Sequence, residues 1–296
     1  GNHRLSEFQE LGGKSFQELN KVIPSFIRRG EGSHKYSKSF NQFQAHMKEE
    51  REHVTQKHAF SLGKMETAGV RLVSYDPDSP LKVAAALLFE YSESSLEELQ
   101  AYCKTLDPQE IEHILDAACR GRENRRHKSP RALEHASFTF EILADFGAYR
   151  DLQRHRMLTQ ERQLLTCNFG YYIPEEIAGT PMEKEYVRAM EIAKEAYDKI
   201  AQEIPQEAQY IVPMAYNVHW YFHVNLRSLQ WLCELRSSPA GHPVYRAIAQ
   251  EMAKQLSSAL PCFEKFFKFV DYEGYVLGRL GQEMRSEKKK QEILSV

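Results

Sequence analysis

The sequence has few of the features that mark metal, disulfide-bonded or membrane proteins. Its five cysteines stand far apart, and no two of them form a CxxC pair. Such a set is typical of reduced thiols in a cytosolic protein, not of a disulfide framework or a zinc site. The twelve histidines show no HExxH-type spacing. No apolar run approaches the roughly 18 residues that a membrane-spanning helix needs. We therefore expect a cytoplasmic protein with no metal site and no membrane partner.

The chain also lacks an excess of charge of either sign. Its 39 basic and 41 acidic residues leave a formal net charge of −2. A general nucleic-acid-binding protein would be basic overall, so we expect no nucleic-acid partner. The basic stretch at residues 120–131, RGRENRRHKSPR, is then a solvated loop or the rim of a ligand site. With 296 residues, the chain has room for one large domain or two small ones with a sizeable core.

The hydrophobic pattern divides the chain into four segments. Residues 69–272 have the character of a folded domain, residues 31–68 form a polar linker or charged helix, and residues 273–296 are a charged tail. Residues 1–30 predict a helix that is interrupted at a proline. A similar pattern occurs near the other end of the chain. When Pro24 is aligned with Pro261, three apolar residues also align: Leu19 with Leu256, Ile23 with Leu260, and Phe26 with Phe263. The match is either chance or the mark of a preceding, similar copy whose closing helix is residues 1–30.

The predicted elements indicate an α+β fold, in which several helices cover a central sheet. Alternation of apolar and polar residues predicts strands at residues 69–75, 136–144 and 214–225. The last of these has one apolar face and one polar face that includes His219 and His223. Helical spacing and capping residues predict six helices. Four of them span residues 82–91, 183–204, 226–235 and 245–270, and two more begin at residue 94 or 95 and at residue 107.

An arginine-rich segment, residues 145–166, follows the second predicted strand. At its centre stands Arg154-His155-Arg156. Residues two apart do not share a helix face, so in a helix the two guanidiniums would point to different sides. Planar guanidinium groups suit phosphate, and a histidine between them can donate or accept a proton near neutral pH. A solvated basic surface and an anion site are the two interpretations.

Three blocks of sequence, taken together, resemble the flavin-dependent thymidylate synthase (ThyX) family. The first is His127-Lys128-Ser129-Pro130 with Glu134-His135, the second is Arg154-His155-Arg156, and the third is Asn225-Leu226-Arg227-Ser228-Leu229 with Arg236. They occur in the family's order and spacing, over residues 70–272. With the proline echo, the chain resembles the second half of a duplicated protein of that family.

The resemblance implies a sheet covered by helices and an assembly of subunits, a dimer or tetramer, with FAD bound between them. It implies reductive methylation of deoxyuridylate (dUMP) to thymidylate (dTMP), with methylenetetrahydrofolate and NADPH as co-substrates. By the same resemblance, Arg236 helps to ionise the pyrimidine ring, and Arg154, Arg162 and Arg236 contact the nucleotide. The residues implied in FAD binding are His127, Ser129, Glu134, Arg154, His155, Arg156, Asn225 and Arg227.

The chain departs from the family pattern where the nucleotide phosphate is bound. The departures are Asp151, Arg162, Leu164, Thr166, Gln209 and Trp231. Either Arg162 and Arg150 rebuild an anion pocket for the same or another pyrimidine nucleotide, or a preceding copy supplies the missing contacts. A catalytically degenerate copy that binds flavin or completes an oligomer is the alternative to an active enzyme. Trp231 is interpreted as a packing residue.

Overall fold

The computed structural model describes residues 3, 5–31, 34–59, 62–63, 67–275 and 278–294. The chain divides into two compact units, Gly1–Lys64 and Met65–Val296. The domain boundaries expected from the sequence remain predictions, because a division by contacts does not test them. Among the helices that the structure describes, none combines the length and the apolar character that crossing a membrane requires.

The first unit consists of helices without a buried side chain among its described helical residues. Its elements are α1 (Ser6–Val22), α2 (Pro24–Ile27), a 3₁₀ turn at Arg28–Gly30, and α3 (Lys35–His58). Helix α1 ends just before Pro24, as predicted, because proline disfavours helical geometry in the residue before it. Apolar residues of α1, among them Leu11, Leu19 and Val22, are exposed.

A four-stranded antiparallel sheet lies at the centre of the second unit. Its strands are β1 (Gly69–Tyr75), β2 (Ser137–Asp145), β3 (Thr159–Arg162) and β4 (Asn217–Asn225), in the order β1-β2-β4-β3. The three predicted strands are confirmed to within three residues. Strand β3 was not predicted, because four residues of Thr-Gln-Glu-Arg carry no hydrophobic alternation.

Eight helices in the described part of this unit surround the sheet. They are α4 (Ser79–Phe89), α5 (Leu96–Cys103), α6 (Pro108–Asp116), α7 (Phe146–Leu152), α8 (Pro181–Glu203), α9 (Leu226–Arg236), α10 (Pro243–Ala259) and α11 (Gly278–Leu294). Short 3₁₀ helices occupy Arg131–His135, Glu207–Ile211 and Pro261–Phe267. The α+β prediction is confirmed. The prediction of one helix over residues 245–270 was wrong in its length. The helix ends at Ala259, because Pro261 has no amide hydrogen to continue the helical hydrogen bonds.

The core lies between one face of the sheet and the helices. The inward side chains of β2 and β4 are at most 2% exposed: Phe138, Phe140, Ile142, Val218, Trp220, Phe222 and Val224. Burial of each such side chain stabilises the fold by about 1.5–3 kcal/mol. His219 lies on the predicted polar face of β4, but that face is not exposed along its whole length. His219 is only 8% exposed, with Nε2 2.9 Å from Glu141 Oε1, whereas Tyr221 and His223 are exposed.

Candidate functional site

A cleft of about 500 Å³ lies where three distant segments of the second unit meet. The first segment is the loop before β2, the second follows α7, and the third is the start of α9. Together they contribute Arg122, Arg125, Arg126, His127, Lys128, Ser129, His155, Met157, Arg227, Ser228, Gln230 and Trp231. Each of the three sequence blocks therefore contributes to one cleft, although about 100 residues separate the first block from the third.

Arg227 joins the first and third segments. Its Nε donates to the Ser129 carbonyl oxygen at 2.8 Å, and its Nη1 donates to Glu134 Oε1 at 2.9 Å. Bonds to Arg131 and then to Arg227 hold the pKa of the Glu134 carboxyl below its usual value. The buried Ser129 hydroxyl donates to Gln230 Oε1 at 2.7 Å. Glu134 is thus a partner of the guanidinium behind the cleft, and it does not line the cleft itself.

Asn225 fixes the start of α9, which carries Arg227 and Ser228. Its side-chain Oδ1 accepts a hydrogen bond from the Ser228 amide at 2.9 Å, and its φ of −78° and ψ of 161° are those of an N-cap. Asn225 ends β4 at the point where the chain turns toward the cleft. The side chain that the family resemblance assigns to the cofactor therefore also caps a helix.

A buried ion pair fixes the loop at residues 122–128. Arg122 Nη1 donates to Glu234 Oε1 at 2.7 Å, and both side chains are at most 6% exposed. Arg122 Nε donates to the His127 carbonyl oxygen at 2.8 Å. Sequence reasoning did not single out this pair. The available signal was Glu234, a carboxylate that follows Leu232 and Cys233 on the buried side of α9.

His155 lies in the turn between α7 and β3, not in a helix. Burial lowers the pKa of the imidazole below its usual value, and the charge of Arg236 lowers it further. Both effects favour the neutral form of the ring. Its Nε2 is shielded from solvent and has no hydrogen-bond partner among the described residues, and the same is true of Arg236 Nε. These two orphaned nitrogens lie in or behind the cleft.

Four other residues expected at the site lie outside the lining of this cleft: Arg154, Arg156, Arg162 and Arg236. Arg154 and Arg156 are exposed, and Arg154 pairs with Asp151 at 3.3 Å. Arg162, on β3, donates to the Gln163 carbonyl oxygen at 2.8 Å and to Gln209 Oε1 at 3.4 Å. Arg236 stands over the ring of Tyr245, 5.6 Å from its centre.

Sequence reasoning missed the apolar wall of the cleft. Trp231 is 40% exposed and Met157 is 75% exposed, and both line the cleft. Trp231, interpreted from the sequence as a packing residue, thus also presents part of its side chain to the cleft. A flat indole beside guanidinium and ammonium groups suits a ligand that combines a planar ring with a phosphate. The basic stretch at residues 120–131 supplies much of the cationic rim of the cleft. The rim of a ligand site was one of the two interpretations given for that stretch.

Comparison with known proteins identifies the family. Residues 71–262 match the family model Thy1, described as thymidylate synthase complementing protein. The chain belongs to the Thy1 family. It is 28% identical over 231 residues to a flavin-dependent thymidylate synthase of Clostridium tetani, a match that covers 69% of this chain and 88% of that protein.

A longer relative and a solved structure add to this family assignment. A UPF0159 protein of Chlamydia pneumoniae is 53% identical over 285 residues, which are 96% of this chain and 54% of that protein. This Thy1-family chain thus spans about half the length of the Chlamydia UPF0159 relatives that it matches. In fold, it resembles a UMP/dUMP methylase, PolB, from Streptomyces cacaoi, solved with 5-Br dUMP, at a TM-score of 0.53 and 20% identity. That match covers 69% of this chain and 95% of PolB.

Proposed function

We propose that this chain forms part of an FAD-dependent thymidylate synthase-like enzyme. In this proposal it methylates dUMP, or a related pyrimidine nucleotide, with methylenetetrahydrofolate as the one-carbon donor and NADPH as the reductant. The observation that carries the proposal is the meeting of the three sequence blocks at one cleft, which is lined by several cations and by Trp231. Membership in the Thy1 family supports it.

The side chains of the cleft fit a flavin dinucleotide. Arg126 and Lys128 have no ion-pair partner among the described residues, so they are available to a diphosphate. His155 Nε2 needs a polar partner that the described part of the chain does not supply. FAD, when bound, supplies hydride transfer. We assign to Ser129 and Arg227 the shaping of the cleft floor, and to Trp231 a surface on which a planar ring can stack.

The remaining family positions fit a site that is shared between subunits. Exposed Arg154 and Arg156 are available to a cofactor or nucleotide that also contacts a second copy. For Arg236 we propose a role beside the developing charge of the pyrimidine, where a fixed guanidinium lowers the energy of an anion. The assembly would be a homo-oligomer, a dimer or a tetramer, or a pairing with a preceding copy.

A second candidate is a copy that has kept the cofactor cleft but has lost the nucleotide-phosphate contacts. Arg162 and Gln209, at two of the positions that depart from the family pattern, are bonded to each other in this structure. Gln209 Oε1 also accepts from the Leu165 amide at 3.0 Å. Leu164, at a third such position, is 54% exposed and has no polar group to offer a phosphate. In this arrangement none of the three positions offers the nucleotide phosphate the contact that the family pattern implies, which is what favours the second candidate.

FAD binding and turnover separate the two candidates. Titration of the protein with FAD should quench flavin fluorescence, and Arg227→Ala should weaken binding at least tenfold, or about 1.4 kcal/mol. Lys290→Gln, on the exposed α11, is the matched control. With FAD bound, dUMP, methylenetetrahydrofolate and NADPH should yield dTMP. Flavin binding without dTMP would favour the second candidate. No flavin binding by this chain, or by the longer Chlamydia pneumoniae relative, would contradict both.

A further inference from the structure

A second groove, of about 680 Å³, lies beside the cofactor cleft. One wall is the loop after α9, residues 238–240, and the other is α11. Four cationic side chains line it: Arg125, Arg285, Lys288 and Lys289. We call this second cavity the basic groove and define it by these four residues. Arg125 also lines the cofactor cleft, so the two cavities adjoin at that side chain.

The backbone at the start of α11 forms this groove. Gly278, the first residue of α11, lies against the Pro239 carbonyl so closely that any Cβ would overlap its oxygen. Glycine is the residue that allows such an approach. On the other side, Arg125 Nη1 donates to the Glu234 carbonyl oxygen at 3.4 Å, which holds the shared guanidinium against α9. Both walls are therefore anchored to the end of α9.

The cations of the groove differ from the other basic residues of α11. Arg279 pairs with Glu283 at 2.9 Å, and Lys290 pairs with Glu287 at 3.4 Å. Arg285, Lys288 and Lys289 form no ion pair with a carboxylate of the described residues, and Arg285 Nε donates to the Gly281 carbonyl oxygen. One carboxylate, Glu292, lines the groove against four cations. The groove is thus locally positive in a chain whose net charge is −2.

The spacing of these cations fits a flexible chain of carboxylates. Residues 285, 288 and 289 are three and four positions apart, so they share one helix face over about one 5.4 Å turn. Two of the three are lysines, which act as mobile point charges and do not impose the planar, bidentate geometry in which arginine binds phosphate. An open groove of this kind suits several separated anions better than one compact phosphate.

We propose that the basic groove binds the γ-linked oligoglutamate tail of the folate co-substrate. This inference rests on the proposed function, because it takes its ligand from the folate of that reaction. The folate ring system would lie beside the bound flavin at the Arg125 end of the cofactor cleft, and the tail would pass Arg125 into the groove. Additional glutamates then bring carboxylates alongside Arg285, Lys288 and Lys289.

The test compares binding of monoglutamyl and pentaglutamyl tetrahydrofolate to the FAD-loaded protein by isothermal titration calorimetry. We expect the pentaglutamyl form to bind on the order of tenfold more tightly, since exposed charge contacts contribute a few tenths to about 1 kcal/mol each. The triple variant R285Q/K288Q/K289Q should lose this preference and keep its affinity for the monoglutamyl form. The variant R279Q/K290Q, which changes the paired cations of the same helix, should keep the preference.

A second variant tests the groove without changing its charge. Gly278→Ala displaces the start of α11 from Pro239, so it should reduce the pentaglutamyl preference while the monoglutamyl affinity stays the same. An unchanged preference in the triple variant would overturn the inference, and so would a triple variant that loses affinity for NADPH instead, since that identifies a phosphate site. If neither folate form binds any variant or the parent, the proposed function itself fails.

Discussion

At the residue scale, the Arg122–Glu234 pair has the largest consequence for stability. Both side chains are at most 6% exposed, and Arg122 also bonds the carbonyl oxygens of His127 and Arg125. An ion pair in such a place contributes modest net stability, because both ions have lost their hydration. Removal of one partner is costly, since the other charge is left buried and unpaired. The pair therefore holds the cleft loop in one position.

We predict that Glu234→Gln lowers the free energy of unfolding by about 3–5 kcal/mol. Replacing both partners, as Arg122→Met with Glu234→Leu, should recover much of that loss, because no buried charge remains. The exposed pair Lys194–Asp198 provides the control: Lys194→Ala should cost less than about 1 kcal/mol. Urea unfolding measures all three variants. A loss in Glu234→Gln no larger than in Lys194→Ala would refute the role of the pair.

Asp145 gives a pH prediction at the same scale. Its Oδ1 accepts from the Ala148 amide at 2.8 Å, but its Oδ2 is buried without a partner in the described part of the chain. Burial raises the pKa of this carboxyl. Because the folded state holds the proton more tightly than the unfolded state, stability falls as pH rises from about 3.9 through the raised pKa.

Asp145→Asn keeps the oxygen that caps α7 and removes the charge. We predict that it raises the melting temperature at pH 7, and that this gain shrinks toward pH 4, because protonation of the parent carboxyl removes the buried charge. Asp78→Asn, at an exposed position without a side-chain cap bond, should show no comparable trend. Differential scanning calorimetry across that pH range gives the answer. A variant that is less stable than the parent at pH 7 would contradict this prediction, because it would show that the ionised Asp145 carboxylate stabilises the fold.

At the element scale, Asn225 combines two roles that substitutions can separate. Asn225→Ala removes the N-cap of α9 and should cost about 0.5–2 kcal/mol of stability. Asn225→Asp keeps a capping oxygen but brings a negative charge to the cleft, so it should preserve stability and weaken FAD binding several-fold. Thermal unfolding and flavin titration of both variants test this. Equal FAD affinity in Asn225→Asp and the parent would mean that the residue only caps the helix.

Elements with strong local signals could be predicted from the sequence, and elements defined by their neighbours could not. The capping boxes Ser95–Glu98 and Asp107–Glu110 begin α5 and α6 as expected. Strand β3 exists because it pairs with β4, with Thr159 opposite His223, and its own residues give no strand pattern. His219 alternates correctly along β4, yet it is buried, because Phe169 and Glu141 cover it.

At the scale of the whole molecule, the three sequence blocks predicted which segments meet at the cleft. They did not predict which of their residues line the cleft and which support it. His127, Ser129, His155 and Arg227 do line one cavity. Glu134 supports it through a bond to Arg227, 93 positions away, and Asn225 supports it through the local N-cap of α9. Arg122 and Met157 belong to none of the three blocks, and Trp231 departs from the family pattern at its position, so only the three-dimensional arrangement shows that they line the cleft.

The echo between the two proline-interrupted helices extends to their backbones. Ile23, before Pro24, has φ −133°, and Leu260, before Pro261, has φ −135°. The amides of both residues donate to the carbonyl four positions earlier at 2.8 Å. Leu256, Leu260 and Phe263 are buried, whereas their counterparts Leu19, Ile23 and Phe26 are exposed. We predict that α1 and α2 pack on a preceding domain of the same fold in the longer relatives, as α10 packs on this domain.

The longer relatives have room for such a domain. Because 285 matched residues are 54% of the Chlamydia pneumoniae protein, about 240 of its residues lie outside the match. We predict that Leu19→Asp or Phe26→Asp changes the unfolding free energy of the present chain by no more than about 0.5 kcal/mol, as expected for surface positions. The matched changes Leu256→Asp and Phe263→Asp should cost more than about 3 kcal/mol, because each buries an unpaired charge.

In the longer relative, by contrast, the positions equivalent to Leu19 and Phe26 should be as sensitive as those equivalent to Leu256 and Phe263. Thermal unfolding of the four variants in each protein makes the comparison. The expected tolerance of the present chain to these substitutions follows from the exposure of Leu19 and Phe26. The expected sensitivity of the longer relative follows from burial of the equivalent residues against a preceding domain. Tolerance of a charge at both positions in the longer protein would mean that α1 and α2 pack against no domain, and that the echo is coincidence.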